Sequence, residues 1–242
     1  MEGPSLVILK EEVQHLAGKK ILSATGNAKF GIERIENLKV IEFKTWGKHF
    51  LICFPSFYLR VHFLMFGSYR INERKEQPPR LSLLFKNGEI NFYNCAIRLE
   101  EGNPDDVYDY EVDVMSDTWN ATKAFKSLKK NPDVLICDAL LDQTIFAGSG
   151  NIIKNEVLFR KRVHPESRVG AMKPKLLNGL VDETRIYSLE FYELKQIYEL
   201  SKHWQVFKKR KCTNCGRPVE QRKMGKLMRR NFTCHNCQRL YV

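Results

Sequence analysis

At 242 residues, with 43% hydrophobic and 11% aromatic content, the chain is long enough to bury a core as one large domain or two small ones. No run of about 18 apolar residues occurs, which excludes a membrane-spanning helix, and Met1-Glu2-Gly3-Pro4 lacks the basic and apolar stretches of a secretory leader. The formal net charge of +12 favours anionic partners.

The chain opens on a predicted helix. Pro4 suits a first helical turn, and Leu6, Leu9, Val13 and Leu16 recur at helical spacing. The segment 40–54 reads as two strands joined near Gly47, and 58–71 and 80–92 read as further strands. Asn87-Gly88 marks a hairpin turn. The texture changes at Gly102-Asn103-Pro104-Asp105-Asp106, beyond which helices are expected. Asp117 is the predicted cap of a helix ending before Asn131-Pro132, and Asp133 the predicted opening of another towards Leu141. Residues 146–150 form a glycine-rich turn before a helix from Asn151 to about Lys161, and Ser188 is the predicted cap of a last helix reaching Lys202. The expected class is α+β.

Near the C-terminus, Cys212-Thr213-Asn214-Cys215 and Cys234-His235-Asn236-Cys237 are two Cys-x2-Cys turns with 18 residues between them. That spacing lies in the window of roughly 15–20 residues for a four-thiolate zinc ribbon. Four sulfurs complete a tetrahedral shell with no open position, so a structural Zn²⁺ is expected. From residue 201 onward twelve Lys and Arg face the single acid Glu220, so almost the whole +12 sits on this module. A cationic module of this kind is the footprint of a phosphate-backbone binder. The other thiols, Cys53, Cys95 and Cys137, are scattered and odd in number, as in a reducing compartment.

Gly148-Ser149-Gly150-Asn151 before a helix is a phosphate-binding shape, because glycines admit close approach and free helix N–H groups favour an anion. The surrounding segment 141–160, LDQTIFAGSGNIIKNEVLFR, resembles the helix-two-turn-helix of the formamidopyrimidine-DNA glycosylase/endonuclease VIII family. The four-cysteine finger follows in that family's order. Glu2-Gly3-Pro4 resembles its opening, and His62-Phe63-Leu64-Met65-Phe66-Gly67 resembles its His-Leu-Gly-Met-Thr-Gly strand.

The resemblance implies an N-terminal helix and β-sandwich catalytic domain (1–104), a helix-two-turn-helix DNA-binding domain (105–204) and a zinc finger (205–242). It implies a base excision repair DNA glycosylase with β/δ abasic-site lyase activity, acting as a monomer on double-stranded DNA that carries a damaged base or abasic site. Family members flip the damaged base out of the stack. An N-terminal amine then attacks the glycosidic carbon, and the adjacent glutamate moves the proton. Carried over, the catalytic residues are Met1, Glu2 and Lys48. His62, Asn151 and either Arg229 or Arg230 meet phosphates, and Met65 fills the space of the flipped base. The setting implied is cytoplasmic and nucleoid-associated.

Three departures stand out. Met1 occupies the catalytic proline's place; its primary amine, with an ordinary pKa near 7.7–8.0, is roughly a tenth neutral at pH 7. Asn94-Cys95-Ala96-Ile97-Arg98 replaces the Asp-Pro-Arg-Arg-Phe that probes the opposite base, leaving Arg98 as a candidate substitute. Segment 165–202 has no glycine-rich lid. A non-catalytic binder of damaged or abasic DNA is therefore the alternative reading.

Overall fold

The computed structural model describes residues 1–242, which divide into two compact units. One comprises Met1 and Ser5–Asp109, the other Glu2–Pro4 and Tyr110–Val242.

The first unit holds most of helix α1 (Gly3–Val13) and strands β1 (Ile21–Gly26), β2 (Glu42–Trp46), β3 (His49–Cys53), β4 (Phe57–Ile71), β5 (Leu81–Phe85) and β6 (Gly88–Glu101). The strands run antiparallel in the order β1-β5-β6-β4-β3-β2. β4 and β6 are long enough to serve two half-sheets. Residues 57–63 of β4 pair with 95–101 of β6, and 68–71 pair with 90–93. Between these ladders, Leu64 to Gly67 face only Asn94, a wide bulge that bends both strands. The half-sheets close over one core, in which Phe50 and Phe63 from one side meet Phe92 from the other. Leu6, Leu9 and Val13 of α1 and Leu16 just after it are fully buried there, as their spacing predicted. β1 was not anticipated. Its short run ILSATG alternates weakly, and its place comes from pairing with β5.

The second unit is helical, with α2 (Ala121–Lys129), α3 (Ile136–Ala139), α4 (Asn151–Arg160), α5 (Pro174–Gln196) and a terminal hairpin of β7 (Glu220–Met224) and β8 (Arg229–Thr233). Three expected caps are corrected. Asn120, not Asp117, accepts the Lys123 N–H at the start of α2. α3 starts after Leu135 with no side-chain cap, so Asp133 does not open it. Ser188 lies inside α5, where its hydroxyl donates to the Thr184 carbonyl four residues back. Pro174 begins that helix, and it ends at Gln196 rather than Lys202.

α4 is the axis of this unit. Ile153, Val157 and Leu158 enter the helical core, while Phe159 enters the finger core beside Val206, Phe207 and Phe232. Even its central polar residues Lys154, Asn155 and Glu156 are buried, so the helix is covered on every side. No helix of the chain is long and apolar enough to cross a membrane.

Candidate nucleic-acid interface and metal centre

In the second unit the site is built around the N-terminus of α4. The first N–H groups of a helix have no partner within it, and Gly150 at the cap offers no side chain. Glu2 supplies what is missing: its carboxylate oxygens accept the N–H groups of Ile152 at 2.7 Å and Ile153 at 3.2 Å. The Gly3 N–H donates to the Gly148 carbonyl at 2.9 Å, fixing the chain start against the turn. A Cβ at Gly150 would overlap the Glu2 carboxylate, so the glycine there is a steric requirement.

Asn151, half-buried at the first position of α4, accepts from the Lys154 ammonium at 3.0 Å. Lys154 also donates to the Arg230 carbonyl at 3.4 Å. Burial pushes its pKa down to about 8, with Arg229 acting in the same direction. Asn155 donates to the same carbonyl and accepts the Phe232 N–H, so α4 grips β8 directly. Glu156 accepts three successive N–H groups, those of Gln205, Val206 and Phe207, at the entrance to the finger. Asp138 accepts the N–H groups of Lys226 and Leu227 at the hairpin tip. Arg229 and Arg230 are both exposed. Arg230 is tied by its backbone to α4, and Arg229 is the one whose charge reaches Lys154.

The four cysteines come together as their spacing predicted. Their sulfurs all lie within 4.8 Å of one another, with Cys215 and Cys234 at 3.5 Å and Cys212 and Cys237 at 3.8 Å. A tetrahedron of Zn–S bonds near 2.3 Å has S–S edges of about 3.8 Å. The donor set therefore fits a thiolate-bound metal. Asn214 donates to the Cys237 sulfur at 3.3 Å, the kind of outer contact that orients a ligand.

In the first unit Met1 packs, half-buried, against the β core. Lys48 sits in the β2–β3 turn, which Trp46 steadies by stacking on Tyr108 at 4.8 Å and donating to the Asp109 carbonyl. His62 of β4 donates through Nδ1 to the Lys48 carbonyl at 3.2 Å. Burial depresses the pKa of His62, and the N-terminal ammonium, Lys48 and Arg60 depress it further. Met1, Lys48 and His62 thus share one field. His49 behind them falls to about 4, chiefly by burial, and its ring lies edge-on to His62.

Met65 is 69% exposed on the β4 bulge. Its neighbour Phe66, which the sequence reading passed over, is 88% exposed at φ +64°. Arg98, by contrast, lies in the regular ladder opposite Arg60. Lys154 was also passed over, although three consecutive polar residues between Ile153 and Val157 are a visible break in an apolar helix.

Residues 111–186 match the family model described as the formamidopyrimidine-DNA glycosylase H2TH domain. Endonuclease 8-like 3 of Mus musculus is 33% identical over 205 residues, covering 81% of this chain and 34% of that protein. Endonuclease 8-like 2 of Bos taurus is 32% identical over 197 residues, covering 75% of this chain and 58% of that one. The chain thus spans about a third to somewhat over half the length of these relatives. Among solved structures, Lactococcus lactis formamidopyrimidine DNA glycosylase, non-covalently bound to DNA with an abasic site, superposes with a TM-score of 0.86 at 22% identity, covering 99% of this chain and 100% of that one. A viral DNA glycosylase gives 0.84 at 19% identity, with the same coverage. The fold, the matched H2TH segment and the two curated relatives agree: the chain belongs to the formamidopyrimidine-DNA glycosylase/endonuclease VIII family.

Proposed function

We propose that this chain is a bifunctional DNA glycosylase and abasic-site lyase of base excision repair, acting on duplex DNA with an oxidised or otherwise damaged base. The observation that carries this reading is the setting of the chain start. The positive charges of the Met1 amine, Lys48 and Arg60 converge on His62, while the next residue, Glu2, is held by two backbone donors beside Asn151.

Nearby positive charge disfavours protonation of an amine, and the adjoining Glu2 carboxylate opposes that effect. In the proposed reaction the Met1 nitrogen lone pair bonds to C1′ of the flipped nucleotide as the base departs with the glycosidic electron pair. Opening of the sugar ring places a proton on O4′ and leaves a C1′ iminium. Glu2 is the proposed proton carrier at that oxygen. Loss of a C2′ proton from the iminium then expels the 3′ phosphate, and a second elimination expels the 5′ phosphate. Lys48 is the proposed phosphate contact next to the lesion, joined by His62, Asn151 and Arg229, with Arg230 as the other finger cation. Met65 is the proposed wedge. The cysteine set would hold Zn²⁺ in a sulfur-only shell, where the metal supplies no reaction chemistry and fixes the hairpin that bears Arg229. The protein would act as a monomer on DNA in the cytoplasm, at the nucleoid.

Borohydride reduction on abasic-site DNA tests the reading. A chain with a free Met1 amine should become covalently attached, and one blocked by acetylation or by added residues should not. Trapping that survives the block would move the nucleophile to a lysine, with Lys48 first. One feature, methionine in place of proline at the nucleophile's position, favours a second reading as a non-catalytic binder of abasic DNA. Absence of trapping with a free amine, together with tight binding, would select it.

A further inference from the structure

Lys154 is fully buried, and a buried ammonium needs a reason. Its ordinary pKa of 10.5 falls to about 8, with burial as the main cause. Because the folded value lies below the unfolded one, this lysine adds stability only when neutral. That contribution is full above 10.5 and is lost as pH falls through about 8. At neutral pH the charge therefore works against folding. The groups facing it are Cys137 and Asp138 of α3, Glu2 of the chain start and Arg229 of β8. Glu2 and Asp138 favour the ammonium, but not enough to restore its ordinary affinity for the proton.

We propose that Lys154 is a positioning residue for DNA, its ammonium presetting the Asn151 carboxamide and the β8 backbone so that Asn151 and Arg229 form one phosphate-binding surface. This rests on the DNA-binding reading above. An ammonium only donates, so Asn151 must turn its oxygen towards Lys154 at 3.0 Å, and its NH₂ is left as the outward group. That is the group a phosphate oxygen requires. The same ammonium reaches the Arg230 carbonyl, adjoining Arg229, at 3.4 Å. Asn155 repeats the link by donating to the Asn151 and Arg230 carbonyls at 2.7 and 3.3 Å. The helix N-terminus and the finger strand are thereby set in register before DNA arrives.

The test uses the zinc-loaded full chain and a duplex carrying a tetrahydrofuran abasic-site analogue, with affinity read by fluorescence anisotropy. Lys154→Met should melt no lower than the wild type, since a methionine fills the same space without the buried charge. It should nevertheless bind about tenfold more weakly, about 1.4 kcal/mol. Combined with Asn151→Ala, it should add almost nothing to the loss from Asn151→Ala alone, because Asn155 still holds the Arg230 carbonyl and Asn151 is left as the route by which Lys154 acts. Wild-type affinity should also decline between about pH 7 and about pH 9, and Asn151→Ala should lack that component, whatever the N-terminal amine contributes. Wild-type affinity in Lys154→Met, additive losses, or a pH component that persists in Asn151→Ala would each overturn the proposal. If Lys154→Met does not fold, the wild-type and Asn151→Ala pH profiles decide alone. If Asn151→Ala binds like the wild type, the phosphate-surface reading itself has failed, and the proposal with it.

Discussion

Gly150 and Glu2 lie almost 150 residues apart and are unintelligible separately. The carboxylate occupies the space in which any other residue at position 150 would carry its Cβ. Gly150→Ala should therefore displace Glu2 and orphan the Ile152 and Ile153 N–H groups, lowering stability by about 1–3 kcal/mol in chemical denaturation. Glu2→Gln retains one acceptor oxygen and should cost less stability than Gly150→Ala. If it nonetheless loses borohydride trapping, the carboxylate has a role beyond holding the helix. Glu2 and Asn151 stand out in the sequence because local motifs carry them, and the structure places both at the start of α4. The capping of α4 by Glu2 was not, since no local pattern announces a partner so distant. Asp117 misled for a related reason: it is a good capping residue, but Asn120 lies three residues nearer and its oxygen reaches the Lys123 N–H.

Among the elements, β4 departs most from regularity and carries the proposed wedge Met65. Its bulge exposes Leu64, Met65 and Phe66 in succession, and the Asn94 amide donates to the Met65 carbonyl across the gap at 2.5 Å. A left-handed backbone costs a residue with a side chain roughly 1–2 kcal/mol, so Phe66 holds its exposed position against a local penalty. Stacking of an aromatic ring on a nucleobase contributes about 1–3 kcal/mol. Phe66→Gly is thus expected to leave the melting temperature nearly unchanged while weakening binding to abasic DNA several-fold. Equal affinity of Phe66→Gly and wild type would show that the ring does not meet the bases. The sequence announced β4 through its β-branched and aromatic run, yet gave no sign that four residues would bulge against one. Bulges follow from the register of two strands, which neither strand encodes alone. α5 hid its length for the opposite reason: Ser188 looks like a start, and only its burial inside the unit shows that its hydroxyl turns back on its own helix.

At the scale of the molecule, charge and metal dominate. Each Lys or Arg that neutralises a phosphate adds about 0.9 to the slope of log affinity against log salt, so Arg229→Ala should flatten that slope by about one. Affinity that is insensitive to salt would place the DNA elsewhere than on this cationic surface. Chelation should remove hydrogen-exchange protection from Cys212 to Cys237 and weaken DNA binding, while β3 to β6 keep theirs. Acid should act through the half-buried His49 and His62 and the buried His164. His49 falls from 6.5 to about 4, and His62 and His164 are also lowered, in each case first by burial. The unfolded chain therefore takes up protons before the folded one. The histidine contribution to stability should be full above about pH 6.5 and be lost as pH falls through about 4, with His49→Phe flattening that decline. The finger was the most legible part of the chain, because metal geometry dictates cysteine spacing. Its attachment through Asp138, Asn155 and Glu156 was not, because those partners meet only in three dimensions.

The place of Glu2–Pro4 in the second unit has a consequence for the order in which the molecule is made. Ribosomes release residues in sequence, and units generally fold as they emerge. Glu2 and Gly3 leave the ribosome long before Gly148, Ile152 and Ile153, the residues that bind them. Until then Glu2 and Gly3 wait without these partners, and the proposed proton carrier acquires its setting only after α4 has been translated. A truncated product ending before residue 148 would carry Glu2 and Gly3 but lack the backbone groups that hold them.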